Sequence, residues 1–549
     1  MFLKFKKYGL PSIYDGGGQT QDTDGLELDE VNGAGCLRLN VLRRSTLIFC
    51  ITAISLMTDL KVFSSLFSAE VVVNYGLQVN ERYKRRADLL QRYGLTKEST
   101  SGEVKFLSTY FEVRKGGHNG APDTARAIFN GKRLSKLCSR PETVNLPEIR
   151  EGLEAISALH LRYNKNRSRY VLPTVICADI RHWFHEIEVG PDISQFFGLR
   201  FGQRYFRWAT LPMGWSHSPR VAQCLAWAAL LTDFSKLPTE KGDEVFPLPK
   251  CLEAASVAAE EMENPPAYIY LKEDGREMGF AFLWYDNLTV VSYSNDASRD
   301  MKNHLLNLEK TLNLKWKEIK VTPPHKMNCC SIETGDSTFL GLQLGVFVEK
   351  SSGSKRKRDS CPSTYIVWRH DPEKALKWSD TVKVCLDSPT RRNVARLIGL
   401  MVWDTYLAGK HLCEISETLD LMKMNSTAAR NDWDLPSPLD IATIRTLGSD
   451  VKRIAHENTW HHSSSPPVEG GQTVRCASDS DMKAGGRVVF DGDGNVMGIH
   501  TKTIWWKENF LPAHIFLKEL LASILTIEYV LRMYPNVTRI ELACDNTTA

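Results

Sequence analysis

No C-x-x-C pair occurs among the 13 cysteines, and the only adjacent pair is Cys329-Cys330. That spacing suits neither a zinc site nor a disulfide framework, so the cysteines read as reduced thiols of an intracellular protein, in the cytoplasm or the nucleus. The N-terminus carries no secretory pattern, because Asp22, Asp24, Glu27, Asp29 and Glu30 precede any apolar run. A bilayer-spanning stretch is missing too. Thr46–Met57 is apolar but is followed at once by Asp59 and Lys61, short of the roughly 20 residues a span requires; it reads as a buried helix, and no membrane partner is expected. Charge of one sign does not dominate: net +4 over 549 residues identifies no partner, yet leaves room for a local basic groove. There is no internal repeat. What remains is ordinary globular composition, 42% hydrophobic and 24% charged, which excludes wholesale disorder.

Composition shifts divide the chain. Residues 1–75 carry no readable chemistry, and Gly16-Gly17-Gly18 before the acidic stretch looks like a flexible leader. Residues 76–346 alternate strand-like and helix-like patterns. Ser351–Asp359 breaks the pattern with small residues and then Lys355-Arg356-Lys357-Arg358, a solvated loop or an import signal. Residues 347–450 read as mostly helical, 451–472 as a linker centred on His461–Gly471, and 473–549 as a short α/β segment.

Three pieces of the middle carry chemistry. Val175-Ile176-Cys177-Ala178 is strand-like and delivers Asp179, after which Ile180, Phe184 and Ile187 recur at helical spacing. Phe280–Ser292 places two apolar runs around Asp286-Asn287, the pattern of a hairpin with the acid at its turn. Between them Thr210–Pro219 holds Gly214 between Pro212 and Pro219 ahead of a helix-compatible run, where a glycine lets a ligand approach the backbone. Just upstream, residues 196–208 read as a hairpin about Gly202-Gln203.

In this order the pieces resemble the palm of reverse transcriptases: Asp179 with an aromatic five residues on at Phe184, then Leu211-Pro212-Met213-Gly214, then Trp284-Tyr285-Asp286-Asn287. Phe339-Leu340-Gly341 matches the strand that follows the palm, and Arg126–Asn130 with Lys132-Arg133-Leu134 matches a fingers strand. The resemblance implies an α+β fold, a right-hand polymerase of fingers, palm and thumb. It implies an RNA-directed DNA polymerase working with two Mg²⁺ or Mn²⁺ ions per active site, an RNA template, a DNA primer, the RNA–DNA hybrid and deoxynucleoside triphosphates. Catalysis would fall to Asp179, Asp286 and Asn287, with Asp179 and Asp286 as metal ligands. Ile180 would offer a backbone carbonyl, Phe184 would exclude a ribose 2′-hydroxyl, and Arg126 would hold the triphosphate. Lys132, Met213 and Gly214 complete the substrate set. Lys317 and Lys320 both qualify as proton donor to pyrophosphate. Two departures stand out. Asn287 replaces a second Asp, so it brings no charge to a metal. Leu231–Tyr268 lengthens the path between the second and third motifs and reads as a surface insertion.

Ser388–Trp403 starts with a capping candidate, Ser388, before Pro389. The resemblance makes it a thumb helix with Arg391, Arg392 and Arg396 toward a duplex; a solvated basic face is the plain alternative. In the tail, Asp479, Glu519 on a strong helix and Asp545 in C-D-N-T-T-A follow the order of a ribonuclease H, implying three metal-binding acids in a C-terminally incomplete domain. Asp481 rivals Asp479. The R-L-I-G and D-N-T-T-A segments are similar to the tyrosine-recombinase (DIRS) class of retroelements. Asp491–Asn495 imitates a calcium loop but has Val496 where Gly is needed and Lys502 where Glu is needed. The competing reading is a decayed reverse-transcriptase fold that binds nucleic acid without polymerising. Asn287 favours it; the presence of Asp179, Asp286, Phe184 and Arg126 opposes it. An RNA-directed RNA polymerase is disfavoured by the aromatic ring at 184.

Overall fold

The apolar run before Asp179 forms the strand Thr174–Ile180, buried along most of its length. A strand covered on both faces carries a continuous apolar run rather than an alternating one. In the computed structural model it lies inside an antiparallel five-stranded sheet. The order is Trp316–Thr322, Thr174–Ile180, Asn287–Ser292, Arg276–Trp284, Tyr268–Glu273. Strand alternation splits its side chains between two cores. Ile176, Ala178, Ala281, Leu283, Leu288 and Val290 join a large core with the helices Ser218–Leu231 and Asn295–Leu312. Val175, Phe280, Phe282 and Val291 join a second core with the helix Ile149–Asn164.

The structure describes residues 25–67, 81–115, 122–348, 364–408, 416–427, 433–462, 472–480, 484–490, 496–505, 515–533 and 537–544, apart from isolated positions within these ranges. The chain divides into two compact units, residues 10–463 and a second made mainly of 464–549. In the first unit a six-stranded sheet carries the strand Thr124–Asn130 and the hairpin Gly198–Phe201/Arg204–Trp208, turned at Gly202 with φ +62°. A smaller antiparallel sheet runs Thr338–Phe339, Leu342–Val348, Thr364–His370, His461–His462. The second unit orders its strands Val496–Trp505, Ala484–Phe490, Gln472–Ser480, Val537–Cys544, the last pair parallel. The helix Ile515–Met533 packs on this sheet, with Val474, Cys476, Val489 and Val530 as its core.

Several sequence expectations need correction. The region left unassigned has a place in the fold: Leu37, Val41, Leu42, Phe49 and Phe63 are buried in the same core as the palm-like sheet. The apolar stretch forms the helix Ile48–Thr58, and among the described residues no helix is long and apolar enough to cross a membrane. The segment 231–268 is not a mere surface insertion, because Leu248 and the helix Lys250–Ala259 bury Cys251, Leu252 and Ala259. The division at 346/347 cuts through the strand Leu342–Val348, whose ladder to Thr364–His370 makes the two sides inseparable. Residues 451–457 are not linker. The amphipathic helix Ile441–Glu457 continues through them and ends on Asn458 in the left-handed conformation. The cap of the thumb-like helix Arg391–Leu407 is Thr390, not Ser388; its hydroxyl accepts from the Asn393 N–H at 3.3 Å. Residues 16–18, 351–359, Asp481, Asp491–Asn495 and Asp545 lie outside the described residues.

Gly152 sits where the helix Ile149–Asn164 meets the sheet, and a Cβ there would come within 2.6 Å of the buried Phe282 ring. Gly152→Ala gains about 1 kcal/mol in helix propensity but overpacks this contact, at a cost of about 1–3 kcal/mol. The expected net result is a lower denaturation midpoint, read by urea titration.

Candidate active site

The ladder places Asn287 directly opposite Asp179, and the Ile180 N–H donates to the Asp286 carbonyl at 2.8 Å. Two acids far apart in the chain thus meet at one edge of the palm-like sheet. The hairpin turns on Tyr285-Asp286, with Tyr285 in the left-handed region at φ +56°. A residue with a Cβ holds that conformation at a cost of about 1–3 kcal/mol and needs outside support. Gln223 supplies it. Fully buried on the helix Ser218–Leu231, its Oε1 accepts from the Tyr285 N–H at 2.7 Å and its Nε2 donates to the Leu283 carbonyl at 2.8 Å. Sequence reading missed Gln223. The available signal was a lone amide in an otherwise apolar helix, A-Q-C-L-A-W-A-A-L-L.

Burial first, and then the neighbouring Asp179 carboxylate, push the Asp286 carboxyl up to about 6. The Asn287 Nδ2 donates to Asp286 Oδ1 at 3.0 Å and opposes that rise. An Asp at 287 would replace this donor with a third carboxylate, so Asn287 both withholds a ligand charge and eases the repulsion around Asp286. On the other side of Asp179 the register slips between Trp316 and Glu318, leaving Lys317 in a bulge. The bulge directs its Nζ to Asp179 Oδ2 at 2.8 Å. Lys320 instead pairs with Asp336 at 3.1 Å. Of the two lysines the sequence offered, Lys317 is the one beside the acids.

The donor set here is all oxygen, two carboxylates and an amide, and it fits a hard divalent ion such as Mg²⁺. The raised Asp286 carboxyl is the electrostatic mark of a place that a cation would relieve. Among the described residues no group of three or more His, Cys, Asp or Glu is arranged to hold a metal.

Phe184 is half-buried beside the turn, its ring 6.2 Å from that of Tyr285. It follows Trp183, whose Nε1 donates to the Ala222 carbonyl at 3.0 Å and docks this short helix onto Ser218–Leu231. Arg126 is exposed on the strand Thr124–Asn130, and its positive charge acts on His182, His185 and Asp286. Lys132 is exposed at the start of the helix Lys132–Leu137. Ile180 is buried and Met213 half-buried. Gly214 departs from expectation. A Cβ there would overlap the Phe129 carbonyl, and one at Gly131 would lie 2.7 Å from the Gly214 carbonyl. The close backbone approach seen here is that of the fingers-like strand.

The thumb-like arginines do not form one free row. Arg392 grips Asp434 at 2.8 and 3.4 Å. Arg396 donates to Asn393 Oδ1 at 3.3 Å, and burial lowers its guanidinium from the ordinary value. Arg391 gives its backbone N–H to the Leu435 carbonyl.

In the second unit, Ser478 faces the helix, its Oγ 2.9 Å from that of Ser523. Alternation therefore turns Asp479 to the other face, where it is exposed and accepts from the Ser480 N–H at 2.7 Å. Glu519 is buried, with Oε2 lacking a hydrogen-bond partner. The third acid of the set, Asp545, lies outside the described residues.

No family model matches this chain, and no curated protein matches it. Solved structures of a foamy viral protease-reverse transcriptase do align with it. One, in complex with double-stranded DNA, gives a TM-score of 0.38 at 9% identity over 86% of this chain and 64% of the other. A second with double-stranded DNA gives 0.40 at 11% identity over 86% and 76%. A third, with an RNA/DNA hybrid, gives 0.42 at 11% identity over 87% and 50%. The chain thus spans less than two thirds of the length of the first and third.

Glu186, in the same turn as Phe184, offers a test of the local electrostatics. Burial pushes its carboxyl up to about 8; the Lys315 N–H donates to Oε2 at 3.4 Å, and Oε1 is buried without a partner. A carboxyl raised in the folded state binds more protons folded than unfolded between its ordinary value and about 8. The stability it contributes is present at low pH and is lost as pH rises through that window. Glu186→Gln stays neutral throughout. Melting temperatures recorded from about pH 5 to about pH 9 should fall less steeply for Glu186→Gln than for the unmodified chain.

Proposed function

We propose that the chain is a reverse transcriptase of a retroelement: an RNA-directed DNA polymerase that transfers deoxynucleotides to a primer 3′-hydroxyl. One observation carries the reading. A half-buried, strained hairpin turn sets Asp286 against Asp179, with Lys317 on the Asp179 carboxylate. Asp179 and Asp286 would hold the Mg²⁺ or Mn²⁺, with the Asn287 amide beside them. Bound there, the ions would acidify the attacking hydroxyl and neutralise triphosphate charge.

The remaining roles belong to this chain's own side chains. The Arg126 guanidinium pairs with triphosphate oxygens in a planar, two-bond fit, and Lys132 adds a second positive charge. The Phe184 ring closes the space a 2′-hydroxyl would need. Met213 backs the incoming nucleotide. Lys317, beside Asp179, would give its proton to the departing pyrophosphate as a positioned general acid. Primer, template and hybrid are the nucleic-acid partners. The second unit is proposed as a ribonuclease H-like domain, in which the Glu519 carboxylate, with Oε2 free of hydrogen bonds among the described residues, suits a cation.

Primer extension on an RNA template decides the main reading. Asp286→Ala should lower extension by about 10³-fold or more, as expected for a group acting on the reacting atoms, and Asn287→Asp should lower the Mg²⁺ concentration needed for half-maximal rate. Extension by Asn287→Asp but not by the unmodified chain would favour a fold silenced at that position. Extension by neither would favour the non-catalytic nucleic-acid binder. Phe184→Ala should raise ribonucleotide use by about 10- to 200-fold, the range that one lost steric contact supports; unchanged discrimination would remove Phe184 from that role.

A further inference from the structure

We infer that residues 26–38 form a strap that sets nucleotide selection from behind the site, an inference that rests on the polymerase reading above. The segment crosses the molecule from the fingers-like sheet to the palm-like helices, bonded by backbone along the way. Arg86 Nη2 donates to the Leu26 carbonyl at 2.6 Å. Glu27 and Leu28 pair in parallel with Thr124 and Ala125, and the Asp29 N–H donates to the Ala125 carbonyl at 2.7 Å. The Asp29 carboxylate pairs with Lys115 at 2.6 Å. Farther on, the Gly35 N–H donates to the His185 carbonyl at 2.8 Å and the Leu37 N–H to the Glu186 carbonyl at 3.1 Å. The end is tied down by the Arg38 N–H on the Leu312 carbonyl at 2.9 Å and by Asn313 Nδ2 on the Cys36 carbonyl at 3.1 Å.

Two of these attachments fall on the immediate neighbours of nucleotide-contacting residues. Ala125 precedes Arg126, which takes the triphosphate. His185 follows Phe184, which gates the sugar. The strap therefore ties together, through main-chain hydrogen bonds, the strand on one side of the nucleotide and the turn on the other. The turn is also held by Trp183 on the Ala222 carbonyl and by the Arg181 N–H on the Lys315 carbonyl, but the carbonyls of His185 and Glu186 are taken by the strap. His182 at its start is left-handed at φ +50°, and the buried His185 Nδ1 and Glu186 Oε1 have no hydrogen-bond partners. Loss of the strap's donors would leave two more buried carbonyls unsatisfied, and the gap between Arg126 and Phe184 would widen or fluctuate. Positioning of this kind acts on nucleotide affinity and sugar discrimination, not on the chemical step.

Gly35 is the point to test. It is left-handed at φ +67°, and a Cβ there would touch Glu188 at 3.4 Å, so Gly35→Ala strains the backbone at the bond to His185. Gly25, at φ +84° with nothing within 4 Å, is the matched control. Hydrogen exchange of the amides at positions 35 and 37, the donors to His185 and Glu186, should quicken about ten-fold in Gly35→Ala and not in Gly25→Ala. In primer extension, Gly35→Ala should raise the deoxynucleotide KM about five-fold and weaken ribonucleotide discrimination, with kcat within about two-fold. Unchanged exchange in a folded Gly35→Ala, or an equal change in Gly25→Ala, overturns the strap; quickened exchange with unchanged KM and discrimination overturns its part in selection. If the unmodified chain extends no primer, the polymerase reading falls while exchange still decides the strap. Should Gly35→Ala not fold, Asp29→Asn, which removes the Lys115 ion pair at the other end, is read in the same way at the amides of Ala125–Ala127.

Discussion

Two carboxylates held close together in a mostly buried place repel each other, and the architecture around Asp179 and Asp286 is organised by that repulsion. Asp286 sits in a turn that its own sequence does not favour, because Tyr285 must adopt a left-handed backbone. The turn persists because Gln223 holds the Leu283 carbonyl and the Tyr285 N–H leading into it and because the Ile180 N–H donates to the Asp286 carbonyl beyond it. Lys317 offsets charge on Asp179, and Asn287 does so on Asp286. Replacing any one of these supports changes the others, as hydrogen-bonded networks in low dielectric do.

The site lies at a seam between two sheets, and the seam is closed on both sides by backbone rather than by side chains. On one side Gly131 and Gly214 allow the fingers-like strand and the loop before the helix Ser218–Leu231 to meet main chain to main chain. On the other, the 26–38 segment ties Ala125 to His185 and Glu186. Backbone contacts of this kind tolerate little displacement, since neither partner has a rotamer to adjust.

Strand geometry also decides which way the acids of the second unit face. Its strand order and the parallel pairing of Gln472–Ser480 with Val537–Cys544 give a compact α/β sheet. Asp479 nonetheless falls on the face opposite Ser478, while Glu519 is buried on the helix side with one oxygen unpartnered. A strand's period of two sends neighbouring residues to opposite faces.

Local chemistry made much of this protein legible in advance. The apolar run before Asp179, the paired strands around Asp286 and the glycine between two prolines each declare an element through short-range pattern. Their order suggested the polymerase-like arrangement. Pattern could not say which lysine reaches Asp179, because a one-residue bulge between Trp316 and Glu318 decides it. It could not show that Gly214 serves packing against Phe129, that Gln223 supports the turn, or that residues 26–38 bind the strand and turn beside Arg126 and Phe184. Nor could it show that 451–457 continue a helix or that the segment after Leu231 enters the core. In each case the partner is distant in the chain. Periodicity and turn preference are set by neighbours within a few residues, so the sequence by itself determined the elements and the acids they carry. Which groups face one another across the sheets was decided by tertiary structure alone, because burial, register and hydrogen-bond satisfaction depend on residues that meet only once the chain has folded.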